Sequence, residues 1–303
     1  IMAISRAQLL KELVPGLHAI FGTEYNRHEN EHAVLFDEET SNRAFEEEVL
    51  FPGFGEASVK FEGQGVNYAE TGEGWISRYQ HETVAMAFSI TEEAMEDNLY
   101  DKLSTRLTKS LARAMASAKQ TKAANVYNNA FSSTQLGGDG VVLCSTAHPL
   151  QSGTTASNTF SSQAELSETS LETALIAIAG FTDDRDIPVA LQAQSLHIPR
   201  QLIFVAERLM KSPGRVGTAD NDINALSNMG MLPKGYFVNH RFTDTNNFFI
   251  KTDSPNGMKM FNRAPVKTSM EGDFETGNVR YKARERYSFG FSDWRAIFGA
   301  NPS

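Results

Sequence analysis

The stretch that decides the fold is residues 91–131, TEEAMEDNLYDKLSTRLTKSLARAMASAKQTKAANVYNNAF. Apolar side chains recur in it every four residues, at Met95, Leu99, Leu103, Leu107, Leu111 and Met115. Because residues four apart share one face of an α-helix, the pattern predicts a single amphipathic helix. Neither glycine nor proline occurs between residues 75 and 136 to interrupt it. At ~1.5 Å per residue the helix would be roughly 60 Å long, longer than a small domain is wide.

Both ends of this helix carry sequence signals. Ser89 stands three residues before Glu92, which is the spacing of a capping box, and the first turns are acidic, as a helix N-terminus favours. After Phe131 the chain turns to small polar residues and then to a glycine-rich run at residues 137–140, which favours a turn. We therefore expect the helix to end at or before Phe131.

Composition bounds the class of protein. The chain has 303 residues, of which 41% are hydrophobic and 21% are charged, and this is typical of a folded protein with two or three subdomains. Its net charge of -9 argues against a surface that binds nucleic acid throughout. The single cysteine, Cys144, excludes an intramolecular disulfide framework. No apolar run approaches the ~20 residues that span a bilayer, so we expect no membrane contact.

The segments before the helix have little core of their own. Residues 1–50 form an acidic arm that includes Glu46, Glu47 and Glu48. Residues 51–90 alternate glycines with short β-type stretches and have few large apolar residues near their tip, which predicts an extended β-hairpin. Because a lone hairpin is marginally stable, this one needs another surface to lie on.

The segments after the helix predict an α/β lobe over residues 146–252 and a two-faced final strand. In the lobe, Ser167 is expected to cap a helix through about residue 179, and residues 202–205 are expected to form a strand. In the final strand, residues 279–291, apolar side chains alternate with four cations: Arg280, Lys282, Arg284 and Arg286. These cations could be a solvated face, contact acidic segments of a neighbouring copy such as the glutamate-rich arm, or contact phosphates. The negative net charge favours a protein partner.

Two groups of residues suggest catalysis. Cys144 and His148 are spaced as a nucleophile and its base could be, and residues 183–186 contain three carboxylates. A lone cysteine is more often a small buried residue, and an Asp-rich stretch before a proline is more simply a turn. We therefore predict no catalytic, cofactor-binding or metal-binding residues, and keep a cytosolic hydrolase using Cys144 and His148 as an alternative.

The order of these parts resembles the major capsid proteins of tailed bacteriophages, and among them the Mu-type head subunits. Four stretches carry the resemblance: DGVVLCSTAHP (139–149), PRQLIFV (199–205), DINAL (222–226) and YKARERYSFGFSDWR (281–295). The resemblance implies an α+β capsid fold with five parts. These are an N-terminal arm (1–50), an extended β-hairpin loop (51–90), a peripheral domain with a spine helix (91–145), an axial domain (146–252) and peripheral return strands (253–303).

The resemblance also implies a function. The chain would be a structural subunit that assembles into pentamers and hexamers of an icosahedral head around double-stranded DNA, in the virion and built in the host cytoplasm. Because the spine helix begins near residue 91, a separate scaffolding protein is expected, besides portal and decoration proteins. A shell of the same fold around an enzyme cargo is a further alternative. The expected inter-subunit contacts are Glu46, Glu47, Glu48, Lys60, Gly63, Gly65, Tyr68, Gly72, Trp75, Arg280, Lys282, Arg284 and Arg286.

Overall fold

The computed structural model describes residues 6–27, 30–68, 72–91, 93, 100–214, 223–255, 257–273 and 275–302. Its α-helices are α1 (Arg6–Arg27), α2 (Glu31–Leu35), α3 (Tyr100–Asn128), α4 (Glu168–Ala179), α5 (Ile203–Lys211) and α6 (Ala225–Met229). Its strands are β1 (Asp37–Thr40), β2 (Phe45–Val49), β3 (Ile76–Gln80), β4 (Glu82–Ile90), β5 (His148–Pro149), β6 (Thr155–Ala156), β7 (Ala193–Pro199), β8 (Tyr236–Asn239), β9 (Phe248–Thr252), β10 (Met258–Gly272), β11 (Val279–Phe291) and β12 (Ile297–Ala300). The predicted α+β class is confirmed.

The predicted spine helix is α3, and its apolar stripe is buried from Leu111 onward, whereas Leu103 is exposed. Leu111 and Met115 pack into one core with α1, while Val126 and Tyr127 pack into a second core with α2. The helix ends three residues before the predicted limit at Phe131. Its predicted start, with Met95 and Leu99, lies outside the described residues. Ser89 is part of β4, where it pairs with Arg280, so its predicted capping role is wrong.

A four-stranded sheet, in the order β1-β10-β11-β4, lies against α1 and α3. The alternation predicted for the final strand is confirmed, because Val279, Tyr281, Ala283 and Tyr287 of β11 are buried while the cations point away. One charged residue, Glu285, lies on the buried face. It accepts a hydrogen bond from the Tyr25 hydroxyl at 3.0 Å and lies 4.0 Å from the Lys119 ammonium.

The predicted hairpin has a paired base and a long connection. β2 and β3 pair antiparallel, so the hairpin begins at Phe45 rather than after residue 50. Its base lies on the outer face of the four-stranded sheet, which is the face opposite the helices. There Tyr79 covers Gly290, where an added Cβ would lie 2.7 Å from the ring, and His81 is hydrogen-bonded to Ser288.

The axial lobe is built on a second sheet, in the order β12-β9-β7-β8, with α4 and α5 in its core. The helix predicted after Ser167 is confirmed, including its cap, since the Ser167 hydroxyl accepts the Ser170 N–H. The strand predicted at residues 202–205 is wrong. The chain leaves β7 at Pro199, makes a 3-10 turn (Arg200–Leu202) and enters α5. The C-terminal strand β12 joins this sheet, although residues 253–303 were predicted to be peripheral.

Candidate assembly surfaces

The connection between β2 and β3 exposes an unusual amount of apolar surface. We call residues 50–68 and 72–75 the apolar loop. Its side chains at Phe51, Phe54, Val59, Phe61, Val66 and Tyr68 are each more than 60% exposed, with Tyr68 at 96%. The loop is fastened at its base, where the Leu50 N–H donates to Trp75 O and the Gly74 N–H donates to Leu50 O. Exposed apolar clusters of this kind mark surfaces that a partner covers.

Six predicted contact residues lie in this loop: Lys60, Gly63, Gly65, Tyr68, Gly72 and Trp75, all exposed. The loop exposes more large apolar side chains than we predicted, because the prediction rested on its glycines rather than on the phenylalanines among them. The described part of the loop is also acidic, since Glu56, Glu62 and Glu73 outnumber Lys60.

The second surface is the uncovered part of the outer sheet face, beside the hairpin base. We call Lys267, Arg280, Lys282, Arg284 and Arg286 the basic face. Cross-strand pairing places Arg284 opposite Lys267, so like charges adjoin. On the other side, small residues of β4 face the cations: Ala85 opposite Arg284 and Ala87 opposite Lys282.

The charges of the basic face are poorly neutralised within the subunit. Arg280 forms an ion pair with Asp273 at 2.5 Å. Within the described part of the chain, Lys267, Lys282, Arg284 and Arg286 form no ion pair, and the Nε of Arg286 is buried without a hydrogen-bond partner. A surface of this kind favours an anionic partner that also has small or apolar groups.

The glutamate-rich arm, by contrast, is used within its own subunit. Glu46 accepts a hydrogen bond from Ser41 at 2.7 Å, and Glu47 lies 3.7 Å from Arg78. Glu48 contacts both Lys259 and Ser292. Burial opposes the charge of Lys259, but its contacts with Glu48 and Glu39 outweigh burial and raise its pKa. The three glutamates therefore hold the hairpin base of their own subunit, and their predicted contact with a neighbouring copy stays a prediction.

The candidate catalytic pair is engaged in packing. Cys144 is buried, and burial raises the pKa of its thiol, which disfavours the thiolate that a nucleophile needs. The two ring nitrogens of His148 lie 2.7 Å from Asp139 Oδ2 and 3.2 Å from Asn158 Oδ1. The same ring stacks on Trp294 with the centroids 4.6 Å apart. His148 thus ties the segment after the spine helix to the axial lobe, and neither nitrogen is left for Cys144.

The carboxylates at residues 183–186 also have structural partners. Asp183 accepts the N–H groups of Arg185 and Ile187, which closes a turn. Asp184 is buried and pairs with Arg295 at 2.7 Å, and Asp186 accepts the Thr154 hydroxyl. The simpler interpretation of this stretch as a turn therefore fits the structure.

The described part of the chain contains neither a candidate metal-binding cluster nor a candidate membrane-spanning helix. Over the described ranges, His, Cys, Asp and Glu residues form no group of three or more that could hold a metal ion. In the same part of the chain, no helix combines the length and the apolarity that a bilayer crossing requires.

The arm, the apolar loop, the sheet backed by a spine helix and the separate α/β lobe define a shell-forming protein rather than an enzyme. A family model described as "Phage capsid protein" matches residues 76–300, from β3 through β12. The chain belongs to this phage capsid protein family and is a structural shell subunit, a major capsid protein. The Mu-type subgroup stays a prediction.

Solved structures share the fold at low sequence identity. The virus-like particle from Pyrococcus furiosus matches with a TM-score of 0.53 at 12% identity, covering 94% of this chain and 98% of that one. The capsid of a native GTA particle matches with a TM-score of 0.54 at 14% identity, covering 89% of each chain. The procapsid of bacteriophage JBD30 matches with a TM-score of 0.53 at 13% identity, covering 99% of this chain and 77% of that one. Curated proteins give no match.

Proposed function

We propose that the subunit assembles into pentamers and hexamers of a closed icosahedral head, held together by docking of the apolar loop of one copy onto the basic face of the next. The observation that carries this proposal is the apolar loop itself. Six large apolar side chains stand in solvent on a segment whose two ends are held together by the Leu50–Trp75 and Gly74–Leu50 backbone hydrogen bonds. Such a segment gains stability only when another chain covers it.

The basic face matches the loop in charge and in shape. The hairpin base of the same subunit covers the sheet at Ser288 and Gly290, and the sheet continues uncovered from Arg286 to Arg280. Glu56 and Glu62 of a neighbouring loop would bring carboxylates to unpaired cations. The small side chains of Ala85 and Ala87 leave room for Phe54 or Phe61 between them. Burial of the apolar side chains supplies the binding energy, and the charged groups fix the position of the loop on the basic face.

The remaining partners belong to the same proposal. Double-stranded DNA fills the head, and enclosure rather than overall attraction holds it, since the chain carries a net charge of -9. A separate scaffolding protein directs assembly in the host cytoplasm, a portal occupies one vertex, and decoration proteins bind outside. A shell of the same fold around an enzyme cargo is the alternative, and the contents of purified particles separate the two.

The experiment is electron microscopy of the purified chain, expressed with and without the neighbouring phage genes, together with nuclease treatment of the particles. We expect closed shells that protect double-stranded DNA when packaging genes are present. Particles that enclose protein cargo and no DNA would favour the compartment alternative. A monomer under every condition would contradict the proposal.

A further inference from the structure

The axial lobe has an apolar groove that no residue of the described ranges fills. The groove, of about 590 Å³, lies between α5, α6 and β8. Its apolar lining comes from Ile203, Met210, Leu226, Leu232, Tyr236 and Val238. Lys211 and Lys234 line it as well, and both are exposed. Lys211 is bonded to Glu207 at 3.0 Å, whereas Lys234 forms no ion pair within the described ranges.

The same lobe carries a surface of opposite character on α4. Ile176 is 75% exposed, although the rest of the helix buries its apolar residues in the lobe core. Glu172 lies four residues earlier and so stands next to Ile176 on the helix surface. Glu165, just before the helix, is also exposed. Neither glutamate forms an ion pair within the part of the chain that the structure describes. The surface is thus an apolar side chain with the Glu172 carboxylate beside it and the Glu165 carboxylate before the start of the helix.

The two surfaces belong to opposite edges of the sheet. The groove contains Tyr236 and Val238 of β8, at one edge. The segments on both sides of α4 are attached near β12, at the other edge. Before α4, Gln163 accepts the Asn301 N–H at 2.8 Å, and after it, Phe181 packs on Trp294 at 5.5 Å. Because the two surfaces are different, a contact between them joins copies head to tail, and such a contact forms a ring when the rotation between neighbouring copies closes.

We propose that Ile176 of one subunit inserts into the α5–α6–β8 groove of the next subunit around each symmetry axis, with Glu172 facing Lys234. The inference rests on the proposed ring assembly and adds the pair of surfaces that joins the axial lobes. We infer that the groove is occupied by a second copy of this chain, because the chain carries both the groove with its lysines and the surface around Ile176 and Glu172 that complements the groove in charge. Because every copy carries both surfaces, the same contact can repeat between each pair of neighbours in a ring.

The test is a charge swap across the contact. Lys234→Glu and Glu172→Lys should each raise about tenfold the protein concentration needed for particle formation, because each places like charges across the contact. The double variant, Glu172→Lys with Lys234→Glu, should restore assembly toward wild type. Both residues lie on the surface, so the melting temperature of the isolated subunit should stay unchanged in all three variants.

The outcomes separate this inference from the proposed function. If the wild type forms shells and both single variants form them equally well, the proposed contact between axial lobes is wrong, whereas the proposed function still stands. Single variants that fail while the double variant recovers nothing would also overturn the proposed contact. A wild-type chain that forms neither rings nor shells would overturn the proposed function, and this contact with it.

Discussion

Replacing two phenylalanines of the apolar loop, Phe54→Ser with Phe61→Ser, should strongly weaken assembly without destabilising the subunit. Burying a phenylalanine stabilises by roughly 1.5–3 kcal/mol. In the isolated subunit Phe54 is 62% and Phe61 is 66% exposed, so most of that burial is still to be gained on docking. About two-thirds of the full value is ~1–2 kcal/mol for each ring. The pair therefore loses ~2–4 kcal/mol per contact, a weakening of roughly 30- to 700-fold.

The assay compares the particle fraction by sedimentation over a range of protein concentrations with the thermal unfolding of dissociated subunits. The serine variant should need a far higher concentration to assemble, with an unchanged melting temperature. The matched control, Phe54→Leu with Phe61→Leu, keeps the apolar surface and should assemble nearly as wild type does. The reasoning is refuted if the serine variant assembles at the wild-type concentration, or if its subunit melts several degrees lower.

Three further predictions concern charge, proton binding and packing. Reversing the basic face with Arg284→Glu and Arg286→Glu should weaken assembly far more than subunit folding; equal losses in sedimentation and in thermal melts would indicate a plain folding role. Burial raises the pKa of Glu285, although Lys119 and the hydrogen bond from Tyr25 act in the opposite direction. Because the folded-state pKa is higher than the unfolded-state pKa of ~4.3, ionisation of Glu285 lowers the free energy of unfolding as the pH rises above that value. Glu285→Gln should therefore melt at or above the wild-type temperature at pH 7, with the difference shrinking toward pH 4; a lower melting temperature at pH 7 would contradict this. Cys144→Ala should cost at most ~1–2 kcal/mol of unfolding free energy and still form shells in electron micrographs, whereas loss of shells from a stable subunit would show a further role for the thiol.

The predictions that held were those that depend on local sequence. The period of the spine helix and the alternation of β11 are set by one buried face each, so that face could be recognised from the order of residues alone. The cap at Ser167 is equally local. By contrast, the Leu-Ile-Phe-Val run at residues 202–205 favours a strand by propensity, yet its last three residues begin α5. Among the side chains of this segment that pack on the lobe core, Val205, Ala206 and Leu209 recur at the spacing of a helix rather than of a strand.

The errors concern pairings between distant parts of the chain. β2 pairs with β3 across the whole apolar loop, and β12 joins the axial sheet beside β9. Nothing local distinguishes Glu48 as the partner of Lys259, more than 200 residues away. The contacts that Glu46, Glu47 and Glu48 make at the hairpin base were likewise not predicted, while their contact with a neighbouring copy stays a prediction. The basic face was predictable because the strand itself places its cations together.

A cryo-electron microscopy reconstruction of the assembled particle would show directly the path of residues 51–68. We expect a closed icosahedral shell in which this segment of each subunit lies across residues 280–286 of its neighbour. A shell in which the segment folds back onto its own subunit, or in which the basic face of every subunit is open to solvent, would contradict it.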